Sequence, residues 1–157
     1  MQELYNKILT ESVVLNPDTL KVDSFLNHQI DPAFILKIGG EIADRFIKDS
    51  LTKILTVESS GIAVALAAGL SLGIPVIFAK KKRPDANIES VYSSNIFSFA
   101  RQEETRITVD KSYLGPQDTV LIVDDFLAHG EALQGLVAIV RQAGAKLAGA
   151  GIVIEKT

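Results

Sequence analysis

The fold is decided by residues 120–132, which read VLIVDDFLAHGEA. Four consecutive apolar residues, Val120 to Val123, are typical of a strand that is covered on both faces, as strands are in a parallel sheet. Two adjacent acids, Asp124 and Asp125, end this run, and a short loop leads into a helix that begins near Gly130. A buried strand followed by a loop and a helix predicts one β-α unit of an α/β sheet.

The same alternation of strands and helices extends along the rest of the chain. Three more apolar runs are predicted to be strands: 54–57, 74–79 and 149–154. Three segments have helical character: 32–49 with Asp31 as an N-cap, 61–72, and 130–143 with Gly144 at its end. Strands and helices that alternate in this way predict an α/β fold with a doubly wound, mostly parallel sheet flanked by helices. The 157 residues have room for one such domain, 1–157.

Composition and charge exclude several classes of protein. The chain has no cysteine, so disulfides and thiolate metal sites are impossible. The start, MQELYNKILTES, lacks the apolar core of a signal peptide, and the longest apolar run, Ile62 to Leu70, is far shorter than the roughly 20 residues that span a bilayer. The net charge of −3 disfavours nucleic-acid binding, which depends on clustered Lys and Arg. A cytoplasmic protein with no membrane or nucleic-acid partner is expected.

The acids and the loop after them have the features of a phosphosugar site. In open α/β sheets, ligands bind beyond the carboxyl ends of the strands. The N–H groups and the dipole at the start of a helix attract phosphate. An ionised carboxylate accepts two hydrogen bonds at once, which suits the vicinal hydroxyls of a sugar. These residues predict a pocket for a ribose 5-phosphate, while the same acids would also suit a magnesium site or a helix cap.

Between Lys80 and Thr108 the regular pattern breaks down. The segment is polar, has no sustained period, and is long for a connection inside a compact domain. Long loops of this kind are commonly lids or binding loops, and the alternative is a surface β-hairpin without a role. Four basic residues, Lys80 to Arg83, begin the segment. They are expected either to hold a phosphate group or to form a solvated loop.

The apolar strand, the Asp-Asp pair, the loop and the helix together resemble the phosphoribosyl pyrophosphate signature of the type I phosphoribosyltransferases. Three further stretches are similar to the members of that family that act on xanthine: KVDSFLNHQIDP at 21–32, VESSGIA at 57–63 and GIVIEK at 151–156. The resemblance covers almost the whole chain. It implies the family's fold, with a small N-terminal hood for base recognition at about 1–31 and a flexible lid loop at about 81–108. The strand and helix that usually follow GIVIEK in the family are not expected in this chain.

The resemblance also implies a role for each residue that matches the family's motifs. The 5-phosphate would be held, mainly by backbone N–H groups, at Ala128, His129, Gly130, Glu131 and Ala132. The pyrophosphate loop would be Glu58, Ser59, Ser60 and Gly61. The purine would be contacted by Leu20, Asn27 and Lys156, with Lys156 reading its exocyclic oxygen and Phe126 covering its face.

Asp124 and Asp125 would hold the ribose hydroxyls, directly or through Mg²⁺ bound with phosphoribosyl pyrophosphate. His129 and Glu131 depart from the small or hydroxyl residues that are common in the family's phosphate loop. A carboxylate beside a phosphate would repel it unless the side chain points outward, which puts the affinity of the loop in doubt more than its role.

The activity implied is transfer of the phosphoribosyl group from phosphoribosyl pyrophosphate to xanthine by a homodimeric enzyme. Three alternatives stay open at this point. The base could be guanine or hypoxanthine, or the chain could be an inactive fragment. It could also be a regulator that senses phosphoribosyl pyrophosphate, although residues 1–50 carry more acidic than basic side chains and make a poor DNA surface.

Overall fold

The computed structural model describes residues 1–16, 19–82, 89–98 and 102–156. Within these residues the chain forms four α-helices: α1 (Gln2–Glu11), α2 (Pro32–Phe46), α3 (Gly61–Leu72) and α4 (Glu131–Gln142). The same residues form eight strands: β1 (Val13–Asn16), β2 (Thr19–Lys21), β3 (Lys53–Val57), β4 (Val76–Lys82), β5 (Val91–Ser98), β6 (Glu103–Asp110), β7 (Thr119–Leu127) and β8 (Lys146–Glu155). None of the helices in this part of the chain is both long and apolar enough to span a bilayer.

The main sheet has six strands in the order β5-β6-β4-β3-β7-β8. Strands β4, β3, β7 and β8 run parallel, as the near-continuous apolar runs predict. At one side, β6 pairs antiparallel with β4, and β5 pairs antiparallel with β6. The predicted α/β fold with a mostly parallel sheet is confirmed.

The chain leaves β3 and its neighbour β7 in opposite directions along the sheet. From β3 it passes through α3 to β4 on one side, whereas from β7 it passes through α4 to β8 on the other. The loops that leave β3 and β7 therefore diverge, although the two strands are neighbours and pair from Lys53↔Val120 to Leu55↔Ile122. A crevice between diverging loops at the carboxyl ends of adjacent strands is where such sheets bind ligands.

Alternating side chains of the sheet form two cores. On one face, Ile54 and Leu121 pack with Val64 of α3 and with residues of α2. On the other face, Leu55 packs with Leu136 of α4. Because neighbouring strand residues point to opposite faces, the run Ile54-Leu55 contributes one side chain to each core. Each fully buried side chain of this size contributes about 1.5–3 kcal/mol, so these two layers hold the strand ends in place.

Local signals predicted the helix ends well. Asp31 accepts a hydrogen bond from Phe34 N at 3.1 Å and caps α2 as expected. Gly144 has φ +67°, the left-handed conformation that lets the chain leave α4. Strand β7 is longer than predicted. The acids do not end β7, because Asp124 pairs with Ile152 and the pairing with β8 continues to Leu127.

The segment before α2 is the part predicted to be the hood, and its role in base recognition stays a prediction. It consists of α1, the antiparallel pair β1 and β2, and a short helical turn at Asp23–Asn27. Phe25 of that turn is fully buried and meets Phe34 of α2 edge to face, with ring centroids 5.7 Å apart. This contact attaches the hood to the domain.

The described part of the segment between Lys80 and Thr108 is folded into the sheet. It comprises the end of β4, the whole of β5 and most of β6. Gln142 of α4 accepts a hydrogen bond from Ser93 N at 3.1 Å and donates one to Ser93 O at 2.8 Å, which attaches β5 to α4. Residues 83–88 and 99–101 of the predicted lid lie outside the described residues. The lid therefore stays a prediction.

Candidate active site

The paired acids lie at the carboxyl end of β7, beside the crevice. Asp124 is 5% exposed and Asp125 is 6% exposed. The backbone N–H of Asp125 donates to Asp124 Oδ1 at 3.0 Å. Two carboxyl groups on consecutive residues are thus held almost out of solvent, at the point where a ligand would enter.

The environment of Asp124 favours its neutral form. Burial, followed by the negative charge of Asp125, raises the pKa of Asp124 to about 8, and Lys81 opposes the shift. An ordinary aspartate has a pKa of about 3.9. A group this strongly shifted, in a crevice and beside a second acid, is typical of a functional site. The influence of Lys81 also shows that the basic end of β4 lies close enough to act on the acids.

A close contact joins the two loops of the crevice. A Cβ atom added to Gly61 would lie 2.3 Å from Thr56 Oγ1 and 2.6 Å from Asp124 Oδ1. Both distances are far shorter than a van der Waals contact, so any larger residue here would displace the acid or the loop. Glycine is therefore required at the start of α3 because the loop after β3 presses against the acid of β7.

The loop at 58–61 is attached to the end of β4. Glu58 N donates to Ala79 O at 3.1 Å, and the Glu58 carboxylate accepts a hydrogen bond from Lys81 N. The Glu58–Ser59 peptide bond is cis. Ser59 is exposed at the tip of the turn, and its carbonyl accepts from Ile62 N at 3.2 Å. The Glu58 side chain thus holds the loop in place, and the backbone of the tip is left to face a ligand.

The loop after β7 leads directly into the N-terminus of α4. Gly130 has φ +86° and precedes the helix, and its carbonyl accepts from Gln134 N at 2.8 Å. Ala128 and His129 are exposed, whereas Glu131 and Ala132, in the first helical turn, are partly buried. First-turn N–H groups have no partner within a helix, and the helix dipole adds to their attraction for anions. Phosphate binding at 128–132 stays a prediction, which this helix N-terminus supports.

The residues expected to contact the base lie in separate elements. Leu20 of β2 and Phe126 of β7 are partly buried and pack against the same core. Lys156 follows β8, and its backbone N–H donates to Leu127 O at 2.9 Å, so it lies beside the end of β7. Asn27 is exposed at the end of the hood's helical turn. Their roles in base recognition stay predictions.

Sequence reasoning missed two residues of this region. Lys81 was treated only as part of a basic run, yet it contacts Glu58 and acts on Asp124. Thr56 was treated only as part of a buried strand, yet its hydroxyl lies against Gly61 in the crevice. The sequence feature that could have indicated Thr56 is its hydroxyl side chain within the otherwise apolar run Ile54-Leu55-Thr56-Val57.

The crevice fits a magnesium ion that arrives with a ligand better than one held by the protein alone. Mg²⁺ prefers oxygen ligands and is usually bound through one or two carboxylates together with substrate phosphates. Asp124 and Asp125 offer that carboxylate pair, and no cluster of three or more metal-binding side chains occurs among the described residues.

A cavity of about 310 Å³ lies elsewhere, between the helices α1 and α2 and strand β8. Its lining includes Met1, Phe46 and Ile152, and neither the acids nor the two loops contribute to it. We therefore place the functional site in the crevice, because of the chemistry of its residues, and not in this cavity.

Comparison with known proteins identifies the class. The family model described as "Phosphoribosyl transferase domain" matches residues 28–157, and the chain belongs to this family. Among solved structures, the adenine phosphoribosyltransferase of Giardia lamblia has a TM-score of 0.76 at 20% identity and covers 98% of both chains. That of Saccharomyces cerevisiae has a TM-score of 0.76 at 18% identity over 99% of this chain and 90% of the other. These two likenesses confirm the type I phosphoribosyltransferase fold.

Curated relatives point to one group of enzymes within this family. The chain is 64% identical over 156 residues to the xanthine phosphoribosyltransferase of Heliobacterium modesticaldum, across 99% of this chain and 82% of that protein. It is 58% identical over 153 residues to the xanthine phosphoribosyltransferase of Moorella thermoacetica, across 98% of this chain and 78% of the other. The resemblance on which the sequence was assigned to this family is confirmed.

The raised pKa of Asp124 predicts how stability depends on pH. Between about pH 4 and pH 8, the folded chain keeps a proton on Asp124 that the unfolded chain releases, so this group lowers stability as the pH rises through that window. Asp124→Asn removes the effect. We expect its Tm in metal-free buffer to exceed that of the unmodified chain at pH 8 by at least about 2–4 °C, the shift that corresponds to 1 kcal/mol in a protein of this size.

The measurement is a series of thermal melts from pH 4 to pH 8, with exposed Asp44→Asn as the control. The gain should grow with pH for Asp124→Asn and stay near zero for Asp44→Asn. Equal pH dependence in the Asp124→Asn variant and the unmodified chain would contradict the assignment.

Proposed function

We propose that this chain transfers the 5-phosphoribosyl group from phosphoribosyl pyrophosphate to xanthine, yielding xanthosine 5'-monophosphate and pyrophosphate in purine salvage. The observation that carries the proposal is the crevice itself. The turn at 58–61 and the loop at 128–130 follow the neighbouring strands β3 and β7, and Gly61 of the turn lies against Asp124 of the buried acid pair. The relatives named xanthine phosphoribosyltransferase support xanthine as the base.

In this proposal each part of the crevice binds one part of the phosphosugar. Backbone N–H groups at 128–132 hold the 5-phosphate at the start of α4. Asp124 and Asp125 accept hydrogen bonds from the ribose hydroxyls, directly or through a metal ion. The turn at 58–61 lies beneath the pyrophosphate, and Lys81 provides positive charge beside it. When Mg²⁺ is bound with the pyrophosphate, it offsets the negative charge that develops on the leaving group.

The reaction replaces one bond at C1 of the ribose with another. The C1–O bond to pyrophosphate breaks, a purine ring nitrogen forms the new C1–N bond, and that nitrogen loses its proton. Bond breaking leads, so positive charge develops on the ribose ring. The protein therefore needs no covalent nucleophile. Its residues position the two substrates and stabilise charge, and closure of the segment between 81 and 108 would exclude the water that hydrolyses the activated sugar.

The base would bind between the hood and the ends of β7 and β8. Leu20 and Phe126 offer apolar surface to the purine, and Asn27 offers an amide that both donates and accepts hydrogen bonds. Lys156, beside the end of β7, would donate to an exocyclic oxygen of the base.

The direct test is product formation from phosphoribosyl pyrophosphate, Mg²⁺ and each of xanthine, guanine, hypoxanthine and adenine. We expect xanthosine 5'-monophosphate to form fastest. The double variant Asp124→Asn/Asp125→Asn should lose turnover by at least about a hundredfold, since two charged contacts of about 1.5–3 kcal/mol each are removed, while it still unfolds cooperatively.

Asp44→Asn serves as the matched control and should keep full turnover. Faster turnover with guanine or hypoxanthine would replace xanthine as the base. Unchanged turnover in the double variant would remove the acids from the mechanism.

Lys156 gives a separate prediction about base choice. A lysine side chain only donates hydrogen bonds, so it should favour an oxygen over an amino group at position 6 of the purine. Lys156→Ala should reduce the preference for xanthine over adenine about tenfold or more, the loss expected for one hydrogen bond to a charged donor. Competition binding measures this ratio, and exposed Lys146→Ala at the start of β8 is the control. An unchanged ratio in Lys156→Ala would show that another group reads position 6.

We also propose that the enzyme is a homodimer that covers α3. This helix is apolar on nearly all sides, and a helix of that kind is normally buried. However, Leu66 is 63% exposed and Leu70 is 71% exposed. Phe78 lies on the same side of the sheet, two residues after Val76, which contacts Gly69 of α3, and it is 38% exposed. A second copy of the chain would cover this surface.

Introducing charge into this surface tests the dimer. The double variant Leu66→Glu/Leu70→Glu should sediment as a monomer at concentrations where the unmodified chain is dimeric. Leu9→Glu, at an equally exposed position of the hood, should leave the sedimentation unchanged. Dimerisation that survives in the α3 variant would place the interface elsewhere.

A further inference from the structure

Thr56 carries an unusual hydroxyl group. It lies near the end of β3 and is fully buried. Within the described residues, its Oγ1 is the only buried side-chain nitrogen or oxygen without a hydrogen-bond partner. Folding removes such a group from water without compensation, which lowers stability. A valine has nearly the same shape and equal preference for strands, so packing gives no reason for the hydroxyl.

One carboxylate oxygen of the acid pair lies close to this hydroxyl. Thr56 Oγ1 and Asp124 Oδ1 lie 2.3 and 2.6 Å from the same point beside Gly61, where a Cβ atom would stand. On this side of the sheet, Ile54 of β3 and Phe78, which pairs with Thr56 on β4, are apolar and offer the hydroxyl no hydrogen bond. Because Gly61 has no Cβ atom, no side-chain atom of this residue stands between the two oxygens.

The opposite end of the same two strands shows a completed pair of this kind. Thr52, just before β3, donates its hydroxyl hydrogen to Asp118 Oδ1 at 2.9 Å. Asp118 also accepts from Gly115 N at 2.9 Å and forms an ion pair with Lys53 at 3.1 Å. At the amino ends of β3 and β7, Thr52 and Asp118 are thus hydrogen-bonded. At the carboxyl ends of the same strands, Thr56 and Asp124 are adjacent but are not hydrogen-bonded.

We propose that Thr56 is a positioning residue, whose hydroxyl donates to Asp124 Oδ1 when phosphoribosyl pyrophosphate and Mg²⁺ draw Asp124 into the orientation that binds the ribose. The proposal rests on the proposed function of the acids. A carboxylate that binds a sugar hydroxyl with one oxygen can accept a second hydrogen bond on the other, which fixes its orientation. In the free chain the unpaired hydroxyl lowers stability, whereas in the ligand-bound chain it donates a hydrogen bond to Asp124 Oδ1. Strain retained at a site in this way is typical of function.

Two substitutions separate positioning from packing. Thr56→Val keeps the shape and removes the hydroxyl. The dissociation constant for Mg²⁺–phosphoribosyl pyrophosphate should rise about tenfold to a hundredfold, the range for one hydrogen bond to a charged group, while the Tm of the free chain stays equal or rises. Thr56→Ser keeps the hydroxyl and loses a methyl group. It should lower the Tm, and its dissociation constant should stay within about threefold of the original.

Thr52→Val is the matched control, because it removes a hydroxyl that is already paired. It should lower the Tm and leave the dissociation constant unchanged. Calorimetry measures binding, thermal melts measure stability, and the amide resonance of Asp125, which donates to Asp124 Oδ1, reports the orientation of the acid. In Thr56→Val, the change in this resonance on ligand binding should differ from that in the unmodified chain.

The outcomes distinguish the proposal from the function on which it rests. If the unmodified chain binds the ligand and Thr56→Val binds it equally well, the role of Thr56 is wrong and the function stands. The same conclusion follows if Thr56→Ser weakens binding as much as Thr56→Val, since packing then explains both. If the unmodified chain does not bind Mg²⁺–phosphoribosyl pyrophosphate, the proposed function and the role of Thr56 both fail.

Discussion

The contact of Gly61 with Asp124 is the constraint on which the crevice depends. It requires β3 and β7 to be neighbours, to run in the same direction, and to send their loops apart. Given this contact, the turn at 58–61 lies beside the acids, and the loop at 128–130 leads away from them into α4. The two loops for which we propose phosphate binding thereby both adjoin the strand that carries the carboxylate pair. A side chain on Gly61 would separate them.

The two ends of β7 show how environment decides what a buried carboxylate does. Asp118, near the amino end, is surrounded by donors, including Lys53 and the N–H of Gly115. It holds two strands and a turn together and has few acceptor sites left. Asp124, near the carboxyl end, accepts from one backbone N–H and lies beside a second acid, so burial and repulsion raise its pKa. Such a group gains more from a ligand that brings donors and positive charge than from the protein around it.

The fold and the base preference depend on different parts of the molecule. Structures of adenine phosphoribosyltransferases share this fold at 18–20% identity, whereas the relatives at 58–64% identity are named xanthine phosphoribosyltransferase, so the fold alone does not indicate the base. The segments that differ in chemistry between purines would be the hood and the ends of β7 and β8, where Leu20, Asn27 and Lys156 lie. This separation explains why the phosphosugar site follows from a single motif, whereas the base site needed resemblance over the whole chain.

Secondary-structure elements that depend on residues close together in the chain could be predicted from the sequence alone. The apolar runs, the Asp31 cap, the Gly144 end and the order of strands and helices are all encoded within a few residues of where they act. Two features could be seen only in the tertiary structure: Asp124 remains within β7, and β5 and β6 join the sheet. Both depend on strand pairing, whose hydrogen bonds come from residues that are distant in the sequence. The tertiary structure alone also brought Thr56 and Lys81 to the acids. Their proximity arises because β3 lies between β4 and β7 in the sheet, a relation that no short stretch of sequence contains.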